Sequence, residues 1–162
     1  MPRRLSSPGG SLHSGASVVT TVRTLASLAP DERALVDAAR DARVRAYAPY
    51  SNFNVGAALR TAEGRTIIGA NVENAAYPAT MCAERVAMSH AITQGERTFT
   101  HIAVMGSTDE ICTPCGICRQ FMFEFAPELV VLAAGARGSV ARFVLGTDLL
   151  PAGFGSMVLG DR

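Results

Sequence analysis

Two short segments, far apart along the chain, constrain its fold more than any other feature: Cys82-Ala83-Glu84-Arg85 and Thr113-Pro114-Cys115-Gly116-Ile117-Cys118. Thiolates are good zinc ligands, and Cys115 and Cys118 have ligand spacing. Each segment also stands where a helix should begin. Residues 81–94 lack helix breakers, with Ala83, Ala87 and Ala91 on one side and Met88 and Ile92 on another, which predicts a buried helix stopped by Gly95. Pro114 to Phe125 predicts a second helix, with Thr113 as cap and Pro114 at its first position. An i, i+3 pair lies on one helix face, so Cys115 and Cys118 can reach one ion. If Cys82 joins them, the fold must bring two helix N-termini together. A lone Cys-x-x-Cys would equally suit a redox pair; the second helix-opening cysteine weakens that alternative.

Three protein ligands leave the fourth zinc position open to water, as in catalytic sites, and the metal then supplies hydroxide near neutral pH. Glu84 is two residues beyond Cys82, roughly 200° away on an ideal helix. That offset suits a proton carrier better than a ligand. Three thiolates leave a net negative centre, which two helix N-termini and a donor from Arg85 would compensate. The competing arrangement is a closed four-thiolate site with Cys112 as fourth ligand, the mark of a structural zinc protein. Against it, Cys112 precedes Thr113-Pro114 and lies outside the helix turn carrying its neighbours. His13, His90 and His101 fall in the N-terminal stretch, mid-helix and at a strand start, and read as packing or surface residues.

The rest of the chain frames this centre. Its 162 residues suit one domain. The formal net charge is +1, from 15 basic and 14 acidic residues, without the basic excess that nucleic-acid binding needs. The longest apolar runs are strand-length, which excludes a membrane helix. Residues 1–29 are rich in Ser, Gly and Thr and contain no Asp or Glu; they read as a flexible N-terminal extension or a targeting segment. From Pro30, the spacing of Leu35, Ala38, Ala39, Ala42 and Ala46 predicts a helix closed off by Pro49. Alternation at Val55, Ala57 and Leu59, a turn at Glu63-Gly64, and residues 65–70 predict two strands. Residues 102–105, 129–134 and 140–145 predict three more. Helices alternating with strands imply an α/β domain over 30–162 with one sheet of about five strands.

The two cysteine elements together resemble the signature of zinc nucleoside and nucleobase deaminases. The likeness extends over about residues 30–156, through Ala48-Pro49-Tyr50-Ser51-Asn52-Phe53, Val55-Gly56-Ala57-Ala58, Asn71-Val72-Glu73-Asn74-Ala75-Ala76-Tyr77 and Leu149-Leu150-Pro151-Ala152-Gly153-Phe154. In this order the elements are similar to the small homotetrameric cytidine deaminases. The resemblance implies a three-layer α/β/α fold with a central mixed sheet. It implies one zinc per subunit on Cys82, Cys115 and Cys118, and Glu84 carrying a proton from the water to ring N3 and on to departing ammonia. Asn71 and Glu73 would grip the ribose 3′-hydroxyl, Phe53 would stand beside the nucleoside, and the backbone of Ala83 would meet the base. Arg85 would donate to the ligand sulfurs. Tyr77 and Phe154 would reach a neighbour's active site, so that a homotetramer completes each pocket. The implied activity is hydrolytic deamination of cytidine and deoxycytidine in cytoplasmic pyrimidine salvage. Asn54 departs from the family pattern, which leaves a modified or blasticidin-type nucleoside as the alternative substrate.

Overall fold

In the computed structural model, residues 22–155 are described. The expected hairpin forms from β2 (Gly56–Thr61) and β3 (Thr66–Ala70), which pair antiparallel with Ala58 opposite Ile68. Its turn contains Gly64 at φ +85°, a left-handed conformation that costs glycine nothing. The other strands are β1 (Val22–Thr24), β4 (Phe99–Met105), β5 (Val130–Ala134) and β6 (Ser139–Val144). Their order in the sheet is β1-β6-β5-β4-β2-β3. β4 and β5 run parallel, and every other neighbouring pair is antiparallel. The sheet is therefore mixed, with six strands rather than about five.

The sixth strand comes from the stretch expected to be a flexible extension. Val22 pairs with Ala141 and Thr24 with Ser139, and Leu28 is buried against the domain. Its polar, exposed edge position left no apolar alternation to read. Residues 1–21, including His13, lie outside the described residues.

Alternation along the strands divides the core in two. Ala58, Ala103, Met105, Leu132 and Val140 face α1 (Pro30–Arg43), which buries Leu35, Val36 and Ala39 on them. Ala57, Leu59, Ile102, Val104, Val131 and Phe143 face α2 (Ala83–Thr93) and α3 (Gly116–Phe125) on the other side. The result is the three-layer α/β/α arrangement. α1 stops at Arg43, so Ala46 lies beyond it.

Two glycines set how closely the helices approach the sheet. A Cβ on Gly56 would stand 2.0 Å from the Ala39 carbonyl oxygen of α1, and one on Gly69 would stand 2.5 Å from both the Ala83 oxygen and the Ala87 nitrogen of α2. The second contact matters most for chemistry, because it presses the first turn of α2 directly onto β3.

Candidate metal centre and substrate cavity

The site forms at one end of the sheet, where strand ends and loops converge. β4 ends at Met105, β5 at Ala134 and β3 at Ala70, while β2 begins at Gly56. Open α/β sheets commonly bind ligands beyond the carboxyl ends of their strands. Asn71 directly follows β3 and Val55 directly precedes β2, so the hairpin delivers both to the same place.

The two cysteine segments meet as the spacing requires, but with shifted helix boundaries. Cys82 is the N-cap of α2 and Cys115 the N-cap of α3, both with extended backbones, and Cys118 is in the first turn of α3. The second helix thus begins at Gly116, two residues later than Pro114. Neither N-cap cysteine caps its helix through a side-chain hydrogen bond; the sulfurs turn toward one another instead. The Sγ atoms of Cys82, Cys115 and Cys118 all lie within 4.8 Å of each other, with 3.9 Å between Cys82 and Cys115. Tetrahedral zinc with Zn–S bonds near 2.3 Å places its sulfurs about 3.8 Å apart. The donor set and its spacing therefore fit zinc. Cys112 stands outside this group, which argues against the closed four-thiolate site.

The electrostatics follow from the helix ends and Arg85. The Arg85 Nη2 donates to the Thr80 carbonyl at 2.7 Å and lies 4.0 Å from the Cys82 sulfur, while its Nε is buried without a partner. The hydrogen bond with Cys118, helped by Arg85, pulls the Cys82 thiol down to about 5. The Cys82 contact and burial push the Cys118 thiol up, and binding of a metal requires these sulfurs as thiolates. Burial pushes the Cys112 thiol up to about 11, where it remains neutral.

Glu84 is only 4% exposed. Burial pushes its carboxyl up to about 7. It is the second residue of α2, and because Cys82 is an extended cap rather than a helical residue, the ideal-helix offset between them does not apply. Glu84, Cys82 and Cys115 line one cavity of about 270 Å³.

Phe53, Asn71, Glu73 and Ala83 line that same cavity, together with Ser51, Val55, Thr80, Cys112 and Thr113. The Asn71 side chain accepts the Val55 N–H at 2.8 Å and donates to the Phe53 carbonyl at 2.9 Å. Glu73 accepts the N–H groups of Tyr50 at 2.8 Å and Ser51 at 3.2 Å, and the Ser51 hydroxyl. Ser51 holds the Glu73 carboxyl below the ordinary range. These hydrogen bonds tie down the loop that carries Phe53.

Tyr77 and Phe154 are not among the residues lining this cavity. Tyr77 is 71% exposed and meets Tyr50 edge-on, with ring centroids 6.0 Å apart. It lines an adjoining hollow of about 360 Å³ with Tyr50, Ser51, Glu73 and Thr80. Phe154 is exposed, and its carbonyl accepts from Gln120 at 2.7 Å. His90 and His101 lie outside the sulfur group. Ser51, Thr80 and Thr113 do not stand out in the sequence as site residues; the only signal for Ser51 is its place in the turn before Phe53.

Comparison with known proteins agrees with this geometry. The family described as "Cytidine and deoxycytidylate deaminase zinc-binding region" matches residues 30–134. A cytidine deaminase of Halalkalibacterium halodurans is 41% identical over 132 residues, covering 81% of this chain and 99% of that protein. The crystal structure of a cytidine deaminase from Burkholderia pseudomallei superposes with a TM-score of 0.72 at 48% identity, over 75% of this chain and 97% of that one. The cytidine deaminase structure from Mycobacterium tuberculosis gives 0.67 at 36% identity, over 77% and 98%. A matched fold, a matched signature and a three-thiolate centre beside a buried carboxyl place this chain in the cytidine and deoxycytidylate deaminase family.

Proposed function

We propose that the chain converts cytidine and deoxycytidine, with water, to uridine and deoxyuridine plus ammonia. The observation that carries this is a pair of adjoining hollows of different chemistry. Cys82, Ala83, Glu84 and Cys115 line only the deep hollow, whereas Ser51, Glu73 and Thr80 line both it and the outer one. A ligand with an amidine-type ring at one end and a hydroxylated sugar at the other spans that difference.

Zinc held by Cys82, Cys115 and Cys118 would lower the pKa of a bound water toward neutrality. Glu84, buried and with its carboxyl near neutral pH, would take a proton from a water in the cavity and deliver it to ring N3 as the resulting hydroxide adds to C4. It would then carry the proton of the new C4 hydroxyl to the amino nitrogen, which leaves as ammonia as the C4–N bond breaks and the C4 carbonyl forms, so that the carboxyl acts in turn as base and acid. The backbone of Ala83 meets the base, and Phe53 packs beside the nucleoside. Asn71 and Glu73 receive the sugar hydroxyl. A site built to pair a hydroxyl rejects analogues that lack it, so free cytosine is a poor substrate.

The catalytic domain is read as residues 30–162, to which Val22–Thr24 adds an edge strand. The exposed Tyr47, Tyr50, Val72 and Tyr77 near the outer hollow support a homotetramer with shared active sites. Its Tyr77 and Phe154 would then complete a neighbour's pocket. A cytoplasmic enzyme acting on small molecules fits four cysteines that are all unpaired; among the described residues, no helix is long and apolar enough to cross a membrane.

The test is an absorbance assay of the purified protein on cytidine, deoxycytidine and blasticidin S. Turnover of either cytidine supports the reading. Turnover of blasticidin S alone, or of none, overturns it.

A further inference from the structure

We infer that Ser51 is a positioning residue that aims the Glu73 carboxylate at the sugar hydroxyl, an inference that rests on the nucleoside reading above. The hydroxyl of Ser51 has one proton to give and gives it to Glu73 Oε1. In return it accepts the Phe53 N–H at 3.0 Å. The Tyr50 and Ser51 N–H groups hold the other carboxylate oxygen. Among the described residues, Ser51 is thus the side chain that links the carboxylate to the backbone of the aromatic residue beside it.

The turn that presents Ser51 is itself fixed. Asn52 adopts φ +55°, a left-handed conformation that asparagine tolerates better than most residues, and its N–H donates to the Ala48 carbonyl at 3.0 Å. Asn71 clamps the far side of the turn at Phe53 and Val55. Removing the Ser51 hydroxyl leaves the backbone clamp in place but strips Oε1 of its donor. Held then through Oε2 alone, the carboxylate gains freedom about its terminal torsion, which is broad for glutamate. An ionised carboxylate can only accept hydrogen bonds, so its orientation decides how well it meets a ligand hydroxyl. Selectivity for that hydroxyl, rather than the deamination chemistry, should therefore depend on Ser51.

The experiment compares cytidine with 3′-deoxycytidine. The wild-type protein should prefer cytidine strongly in kcat/KM. Ser51→Ala should raise KM for cytidine about tenfold and leave kcat within about threefold, the pattern of lost uniform binding. Its KM for 3′-deoxycytidine should rise by no more than about threefold, through the lost Phe53 contact alone, so the preference ratio falls by at least about threefold. Ser51→Thr, which keeps the hydroxyl, should restore the ratio. A Ser51→Ala variant that keeps the wild-type ratio overturns the role of Ser51 alone. A wild-type protein indifferent to the 3′-hydroxyl overturns the sugar-gripping reading, and the role of Ser51 with it. If Ser51→Ala does not fold, Ser51→Cys decides: it has nearly the same shape with a weaker donor, and an unchanged ratio there overturns the inference.

Discussion

Replacing Gly69 with alanine tests whether the contact between α2 and β3 sets the geometry of the metal centre. The new Cβ would sit 2.5 Å from the Ala83 oxygen and the Ala87 nitrogen, where ordinary contacts begin at 3.4 Å. Both obstacles are backbone, so no side chain can swing away. α2 must lift from the strand by up to about 0.9 Å. Ala83 lies between Cys82 and Glu84, so both move with it, while Cys115 and Cys118 stay on α3. Metal–ligand distances tolerate only about 0.2 Å, and a misplacement near 1 Å costs roughly 10²-fold in rate. Overpacking of about 2 kcal/mol would lower Tm by about 4–8 °C for a domain of this size. Gly64→Ala serves as the control. Gly64 has φ +85°, and a Cβ added there would meet no atom within 4 Å. That variant should lose about 1–2 kcal/mol to backbone strain with unchanged kcat. The assays are thermal melting, zinc retention against a chelator, and cytidine turnover. A Gly69→Ala protein with wild-type zinc affinity and kcat would refute the reasoning.

Three further outcomes follow from the geometry. Cys112→Ser should leave the zinc-to-chain ratio unchanged, because Cys112 stands outside the sulfur group; metal analysis of the purified variant checks it. Cys115→Ser should lose zinc and with it activity, read by the same analysis, because two sulfurs no longer satisfy the ion. Asn52→Ala should cost about 1–2 kcal/mol in denaturant melts, whereas Asn52→Gly, free to adopt φ +55°, should cost less.

Much of the centre was legible because ligand spacing and helix starts are local properties. Cys82, Cys115 and Cys118 needed only residue type and the position of breakers. The helix boundaries were less legible: Thr113-Pro114 makes a good start signal, yet α3 begins at Gly116, with Cys115 as an extended cap whose sulfur faces that of Cys82. β1 was missed because Val22–Thr24 pairs with β6, far along the chain, and carries no buried residue of its own. The clamp around Glu73 was illegible for a similar reason. Ser51 and Glu73 are 22 residues apart, and only the return of β3 beside the start of β2 brings them together. Closeness of α2 to the sheet depends on Gly69, whose role appears only when the Cβ it lacks meets the helix backbone.

Zinc-assisted deamination with Glu84 as the proton carrier is decided by pairing zinc content with cytidine turnover in the wild-type protein and in Glu84→Gln. The wild-type protein should hold one zinc per chain and release one ammonia for each uridine formed. Glu84→Gln should keep its zinc while turnover falls by about 10²–10⁴-fold, since the amide cannot carry the proton. A zinc-loaded wild-type protein that leaves cytidine and deoxycytidine unchanged, or a Glu84→Gln protein with near-normal turnover, would contradict this mechanism.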